Sequence, residues 1–188
     1  MAGRIIELPL ADCVAGELRA GDTVLLNGVI YSARDAAHKR LCEALERGDV
    51  LPVKLRGETI YYLGPAPAPP GFAVGSAGPT SSYRMDKYTP ALLDCGLKAM
   101  IGKGVRSKEV IESMMKNRAV YFAGIGGAAV VIARAIKKCE VVCYEDLGPE
   151  AVHRLYVERF PAVVAIDIYG NDQYRIGREK YCSPPACN

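Results

Sequence analysis

Residues 119–168 read AVYFAGIGGAAVVIARAIKKCEVVCYEDLGPEAVHRLYVERFPAVVAIDI. Three apolar, β-branched runs punctuate this stretch, at 119–122, 140–144 and 162–168. Short runs rich in Val, Ile, Phe and Tyr read as buried strands. Between them, 127–137 carries apolar residues at helical spacing, and 149–159 does the same behind Pro149, a residue favoured in the first turn of a helix. Strand, helix, strand, helix, strand at these distances predicts a parallel βαβαβ unit with right-handed crossovers in the C-terminal half, and so an α/β fold.

The N-terminal half supplies further elements. A weak alternation at 4–8 and a β-branched run at 23–31 are strand candidates. Ser32-Ala33-Arg34-Asp35 resembles a capping box, with Asp for the usual Glu, opening a helix whose apolar face is Ala37, Leu41, Ala44 and Leu45 and which Gly48 ends. A short strand at 59–63 follows. Thr89-Pro90 starts a short helix stopped by Gly96, 97–101 is another strand, and Ser107 caps a helix running to about Asn117. No repeat or linker divides the chain, so 1–188 is expected to be one domain with a tail at 178–188.

Of the sixteen residues 65–80, eight are Pro or Gly. Such a segment is neither helix nor central strand, and a long loop within a compact domain is usually functional or disordered. It ends on Thr80 and, shortly after, Arg84, a hydroxyl and a guanidinium suited to carboxylate recognition. Arg34 falls in the first turn of a helix, where a cation opposes the dipole. A bound anion would explain it, and so would a solvent-facing side chain paired with Asp35. Lys103 stands between two glycines, on backbone that a ligand can approach closely.

Composition bounds the rest. The chain is half apolar, 24% charged with both signs interspersed, and carries a net charge of +3, the profile of a folded domain without a nucleic-acid partner. No run of eighteen apolar residues and no leader-like N-terminus is present, so a cytoplasmic protein without membrane partners is expected. Seven cysteines, an odd number without any CxxC pair, fit neither a disulfide framework nor a zinc site. His38 and His153 lie in expected helices without partners at metal spacing. Gly124-Ile125-Gly126-Gly127-Ala128-Ala129 matches a dinucleotide fingerprint, with Glu145 and Asp146 about twenty residues on; close helix packing accounts for the same glycines.

Five ordered segments carry a resemblance. They are Asn27-Gly28-Val29-Ile30-Tyr31-Ser32-Ala33-Arg34-Asp35-Ala36-Ala37-His38, Gly78-Pro79-Thr80-Ser81-Ser82-Tyr83-Arg84-Met85-Asp86, Ile101-Gly102-Lys103-Gly104, Tyr121-Phe122-Ala123-Gly124-Ile125-Gly126-Gly127 and Tyr144-Glu145-Asp146-Leu147-Gly148. Over residues 4–175 the chain resembles the β subunit, or fused C-terminal domain, of iron–sulfur (class I) fumarate hydratases and L-tartrate dehydratases. The resemblance implies a swivelling β/β/α domain docked on an α subunit that holds a [4Fe–4S] cluster, in an α2β2 assembly. It implies that Arg34, Thr80, Arg84 and Lys103 grip a C4-dicarboxylate in the hydration of fumarate to (S)-malate, with Thr80 the local candidate for proton relay. Ser81 stands where that family more often has a second Thr, and the tail has no counterpart. A self-sufficient nucleotide-binding oxidoreductase using 124–129 is the competing expectation, and a regulatory module that has lost its partner is a third. Loop 65–80 is expected to be more mobile than the sheet beneath it.

Overall fold

A computed structural model describes residues 3–124 and 129–182. Its strands are β1 (Arg4–Glu7), β2 (Thr23–Ser32), β3 (Thr59–Tyr61), β4 (Ala99–Gly102), β5 (Val120–Gly124), β6 (Ile136–Cys143) and β7 (Val152–Ile166). Its helices are α1 (Asp12–Glu17), α2 (Asp35–Glu46), α3 (Thr89–Asp94), α4 (Lys108–Asn117), α5 (Ala129–Ala135) and α6 (Gln173–Tyr181). The expected α/β class is what the structure has.

Strands β1 to β5 pair in sequence order and all in parallel. The long β7 then runs antiparallel to β5 and β6 along one edge and to β2 along the other. Pairing therefore passes from β2 through β3, β4, β5 and β7 and returns to β2, closing the sheet on itself. The period-two alternation of strand side chains sorts the core into two clusters. From β3, β4 and β5, Tyr61, Ala99, Ile101, Val120 and Phe122 point inward to meet Leu26 and Ile30 of β2 and Leu155, Val157 and Phe160 of β7. The alternate residues Ile60, Met100 and Tyr121 point outward and are covered by Leu41 of α2, Leu92 and Leu93 of α3, and Val110 and Met114 of α4. Two β layers and one α layer result, with β3–β5 in the middle.

Local signals explain several boundaries. Helix α2 ends in a Schellman motif: Gly48, at φ 74°, donates to Leu45 O while Asp49 donates to Ala44 O, at 3.0 and 2.9 Å. Ser107 caps α4, its hydroxyl accepting from Val110 N at 3.4 Å. Ser32 does not cap α2. It is the last residue of β2, buried, with its hydroxyl 3.1 Å from His153 Nδ1, and α2 begins three residues later behind Arg34.

The C-terminal half departs from the parallel βαβαβ unit. The expected helix at 149–159 is instead a 3-10 turn over Glu145–Glu150 followed by the first half of β7, and β6 and β7 are antiparallel neighbours. Ala151, Val152 and Leu155 satisfy a helical count, but Leu155 and Val157 are buried while Arg154, Tyr156 and Glu158 are exposed, which is a strand's period. Open edges on both β2 and β6 decide the ambiguity, because each offers a full ladder of backbone hydrogen bonds.

Candidate functional site

Because β2 to β5 are parallel, their carboxyl ends share one edge of the closed sheet, where α/β folds commonly place their ligand sites. The four residues singled out in the sequence all lie there. Arg34 follows β2 by two residues, and Lys103 follows β4 immediately. Thr80 leads the crossing segment whose Ser82–Met85 forms a 3-10 turn containing Arg84.

One carboxylate stands between two of the four. Asp35, the first residue of α2, accepts a 2.9 Å hydrogen bond from Arg84 Nε on Oδ1, and its Oδ2 lies 3.9 Å from Arg34 Nε. Neither Arg34 Nε nor Asp35 Oδ2 has a hydrogen-bond partner, although both atoms are buried. A third unpartnered buried atom, His38 Nε2, lies one turn further along α2. Buried polar atoms are nearly always paired, so this concentration at one helix start marks a place built for something more. Glu150 completes the group: its Oε1 is 3.4 Å from Arg34 Nη2, and its Oε2 accepts from Ala36 N at 3.1 Å.

Backbone contacts join the other two. Thr80 N donates to Tyr62 O at 2.7 Å, extending the end of β3, and Ser81 pairs with Lys103 in an isolated bridge. Ser82 N donates to Lys103 O at 2.9 Å and the Ser82 hydroxyl accepts from Lys103 N at 3.1 Å. That hydroxyl passes so close over β4 that a Cβ on Gly102 would lie 2.0 Å from it. Gly102 is therefore required by the approach of Ser82, while Gly104 is required by its φ of 83°.

Beneath this junction lies a polar cluster that the sequence did not announce. The Arg106 guanidinium is fully buried and donates to Asp86 Oδ1 at 2.7 Å and Thr89 Oγ1 at 2.8 Å, with Tyr62 and Tyr121 rings against it. Asp86 Oδ2 accepts from Ser107 N at 2.8 Å, and Tyr121 OH, 2.8 Å from Ser82 Oγ, donates to Gly104 O. Burial opposes the Arg106 charge, but Tyr62, Asp86 and Tyr121 more than offset it, so the guanidinium stays ionised.

Loop 65–80 is irregular throughout, as its composition requires. It is pinned near its end by Tyr61 OH, which donates to Ala77 O at 2.5 Å. A Cβ on Gly124 would make ordinary contact with the Pro79 ring, 3.4 Å away, so packing does not by itself demand the first glycine of the fingerprint. Residues 125–128 of that motif lie outside the described residues. The nucleotide-binding unit itself is overturned: β5 has β4 and β7 as neighbours, β6 is not its parallel partner, and Asp146 is engaged bidentately by Arg40.

Among the described residues no three His, Cys, Asp or Glu side chains converge as metal ligands. Burial pushes the Cys42 thiol up to about 11, and Cys95, Cys139 and Cys143 upward as well, which keeps them protonated and poor ligands. Among the described residues no helix is long and apolar enough to cross a membrane.

Residues 8–177 match the family model described as the fumarase C-terminus. The chain is 41% identical over 165 residues to an aerobic class I fumarate hydratase of Salmonella typhimurium, covering 87% of this chain and 28% of that protein. It is 45% identical over 149 residues to a mitochondrial fumarate hydratase 1 of Leishmania major, covering 78% and 27%. A putative L(+)-tartrate dehydratase β subunit of Methanocaldococcus jannaschii is 37% identical over 164 residues, covering 84% of each chain. The chain thus spans little more than a quarter of the fumarate hydratases it matches, but most of a free-standing β subunit.

Proposed function

The chain belongs to the fumarase C-terminus family, and on that premise we propose that it is the substrate-gripping β subunit of a two-subunit hydro-lyase. The reaction is the reversible hydration of fumarate to (S)-malate, carried out with an α partner in an α2β2 assembly. The observation that carries this reading is the Arg34–Asp35–Arg84 group, two guanidiniums flanking one carboxylate that binds only Arg84, at a strand-end edge with a buried Arg34 Nε unpartnered.

In this reading Arg34 and Arg84 take the substrate carboxylates and Lys103 adds a third cation. A guanidinium offers paired parallel donors, and these are worth most where water is excluded. Three cations against Asp35 and Glu150 leave the group net positive before a dianion enters. Fixing both carboxylates aligns the C–H and C–O bonds that must break, and the same cations stabilise the charge that builds on the carboxylate as the proton leaves. Thr80, held at its backbone by Tyr62 O, is the residue of this chain assigned to proton relay.

The cluster chemistry implied by the family is assigned to the α partner. The thiols among the described residues do not fit a [4Fe–4S] group, since they converge nowhere with other ligand side chains and four of them are held protonated by burial. No step assigned to this chain runs through such a cluster.

L-Tartrate is a second reading, supported by the match to a free-standing tartrate dehydratase β subunit along most of its length. Assaying the complex with its α partner on malate, fumarate and L-tartrate separates the two. Arg84→Ala in that complex is expected to lower kcat/KM on the preferred substrate roughly 100-fold, the scale of a lost charged hydrogen-bond pair. Unchanged kcat and KM would show the site to be misassigned.

A further inference from the structure

We propose that Glu150 is the positioning residue of Arg34, holding its guanidinium off Asp35 so that it is not spent in an internal ion pair and can turn to a substrate carboxylate. The inference rests on the reading of Arg34 as a carboxylate ligand and adds how that ligand is aimed.

Three contacts define where Arg34 lies. On one side is Gly64, where an added Cβ would sit 3.1 Å from both Arg34 Cδ and Nη1, and 3.0 Å from Pro149 O. On another side is Glu150, whose Oε1 lies 3.4 Å from Nη2. On the third is Asp35, with Oδ2 3.9 Å from Nε, too far for a hydrogen bond. Asp35 is the stronger attractor by position, because it is the adjacent residue and both atoms are buried. Left to itself, the guanidinium would close onto Asp35 and spend its Nε in an internal ion pair. Glu150 supplies the opposing pull, and the bare backbone of Gly64 supplies the room.

The same carboxylate does a second task. Helix α2 has no side-chain cap of its own, since Ser32 belongs to β2 and the N-cap residue is Arg34. Glu150, 114 residues away, accepts from Ala36 N at 3.1 Å and so caps the helix from outside, with its negative charge at the favourable end of the dipole. One group thereby fixes both the helix start and the side chain that projects from it.

The two tasks separate experimentally in the complex with the α partner. Glu150→Gln keeps an amide oxygen to accept from Ala36 N but loses the charge facing Arg34. The expected result is a Tm lowered by no more than a few degrees, the dipole's share, a KM for the preferred dicarboxylate raised about 10-fold with kcat within about 2-fold, and a matching rise in the Kd of succinate, which resembles the substrate but has no hydroxyl to lose. Gly64→Ala, which narrows the slot from the opposite side, is expected to raise KM in the same direction. A Glu150→Gln enzyme with unchanged KM would reduce Glu150 to a helix cap, and a lowered KM would mean that it competes with substrate for Arg34. Either result overturns the inference while an active wild type leaves the functional reading standing. A wild-type complex that neither turns over malate, fumarate or tartrate nor binds succinate overturns both.

Discussion

Two arginine–aspartate groups sit a few residues apart on the same strand-end edge and differ in one respect. In the Arg106–Asp86 group every charged atom has its partner: Asp86 accepts from Arg106 and from Ser107 N, and the guanidinium also reaches Thr89 and Tyr62. In the Arg34–Asp35–Arg84 group, Arg34 Nε and Asp35 Oδ2 are buried and unpartnered. Complete satisfaction gives a rigid polar strut, because each member is over-determined by the others. Incomplete satisfaction leaves one donor and one acceptor unpaired with their desolvation cost already met. The first group is scaffold, and the second is receptive to a ligand.

The comparison breaks most directly at Asp86. Asp86→Ala strands the Arg106 charge in a site where its side chain is fully buried, and removing one member of a buried pair typically costs about 3–5 kcal/mol. Urea denaturation of the isolated chain should show a loss of that size. Arg34→Ala and Arg84→Ala, whose side chains are 24% and 41% exposed, should instead cost about 1 kcal/mol or less. Near-equal losses would mean that both groups are structural and that the receptive one has been misidentified.

The same contrast accounts for what could be seen in the sequence. Arg34, Thr80, Arg84 and Lys103 were legible because each follows a strand-like run or a glycine–proline segment, and such positions project from a sheet's end. Asp35 stood beside them, yet its bridging role depends on Arg84, 49 residues away. Glu150 and Arg106 gave no signal, since each has meaning only through partners brought in by the fold. The C-terminal half failed differently. Its apolar residues fit both a helical count and an alternation, and the choice between them was made by the edges of β2 and β6, which no local window contains.

His38 sharpens the comparison because it lies between the two groups, feeling Arg106 on one side and Asp35 on the other. It is fully buried on α2, its Nδ1–H donating to Arg34 O at 2.9 Å and its ring edge-on to Tyr62. Burial first, and Arg106 second, push its pKa down to about 4, against the Arg34 carbonyl and Asp35, which favour the proton. The unfolded chain takes up that proton near 6.5, so the neutral form is bound into the fold. Stability from this group is therefore complete above pH 6.5, falls as the pH drops toward 4, and is level below that, a loss on the order of 3 kcal/mol. Urea midpoints at pH 7 and pH 4.5 should differ accordingly, and the difference should shrink in His38→Gln. An unchanged difference in the variant would remove His38 as the sensor.

The smallest effect concerns how firmly the receptive group is anchored. Loop 65–80 is exposed from Pro67 to Phe72 but is fastened at its C-terminal end. Tyr61 OH holds Ala77 O, and Thr80 N donates to Tyr62 O at 2.7 Å, beside a strand whose own Tyr62 N is bonded to Ile101 O. Mobility should therefore be confined to the outer turn and stop short of the residues that carry chemistry. Amide hydrogen exchange resolves this residue by residue, since protection reports the free energy of local opening. Ala68 and Gly71, exposed at the tip, should exchange close to the rate of an unstructured peptide. Thr80 should be protected nearly as well as Val164, whose amide is bonded to Asp22 O within the sheet. If Thr80 exchanged as fast as Gly71, the segment bearing Thr80 and Arg84 would be no part of the rigid edge. Its place in the site would then depend on a bound ligand or partner, not on the ladder of β3 and β4.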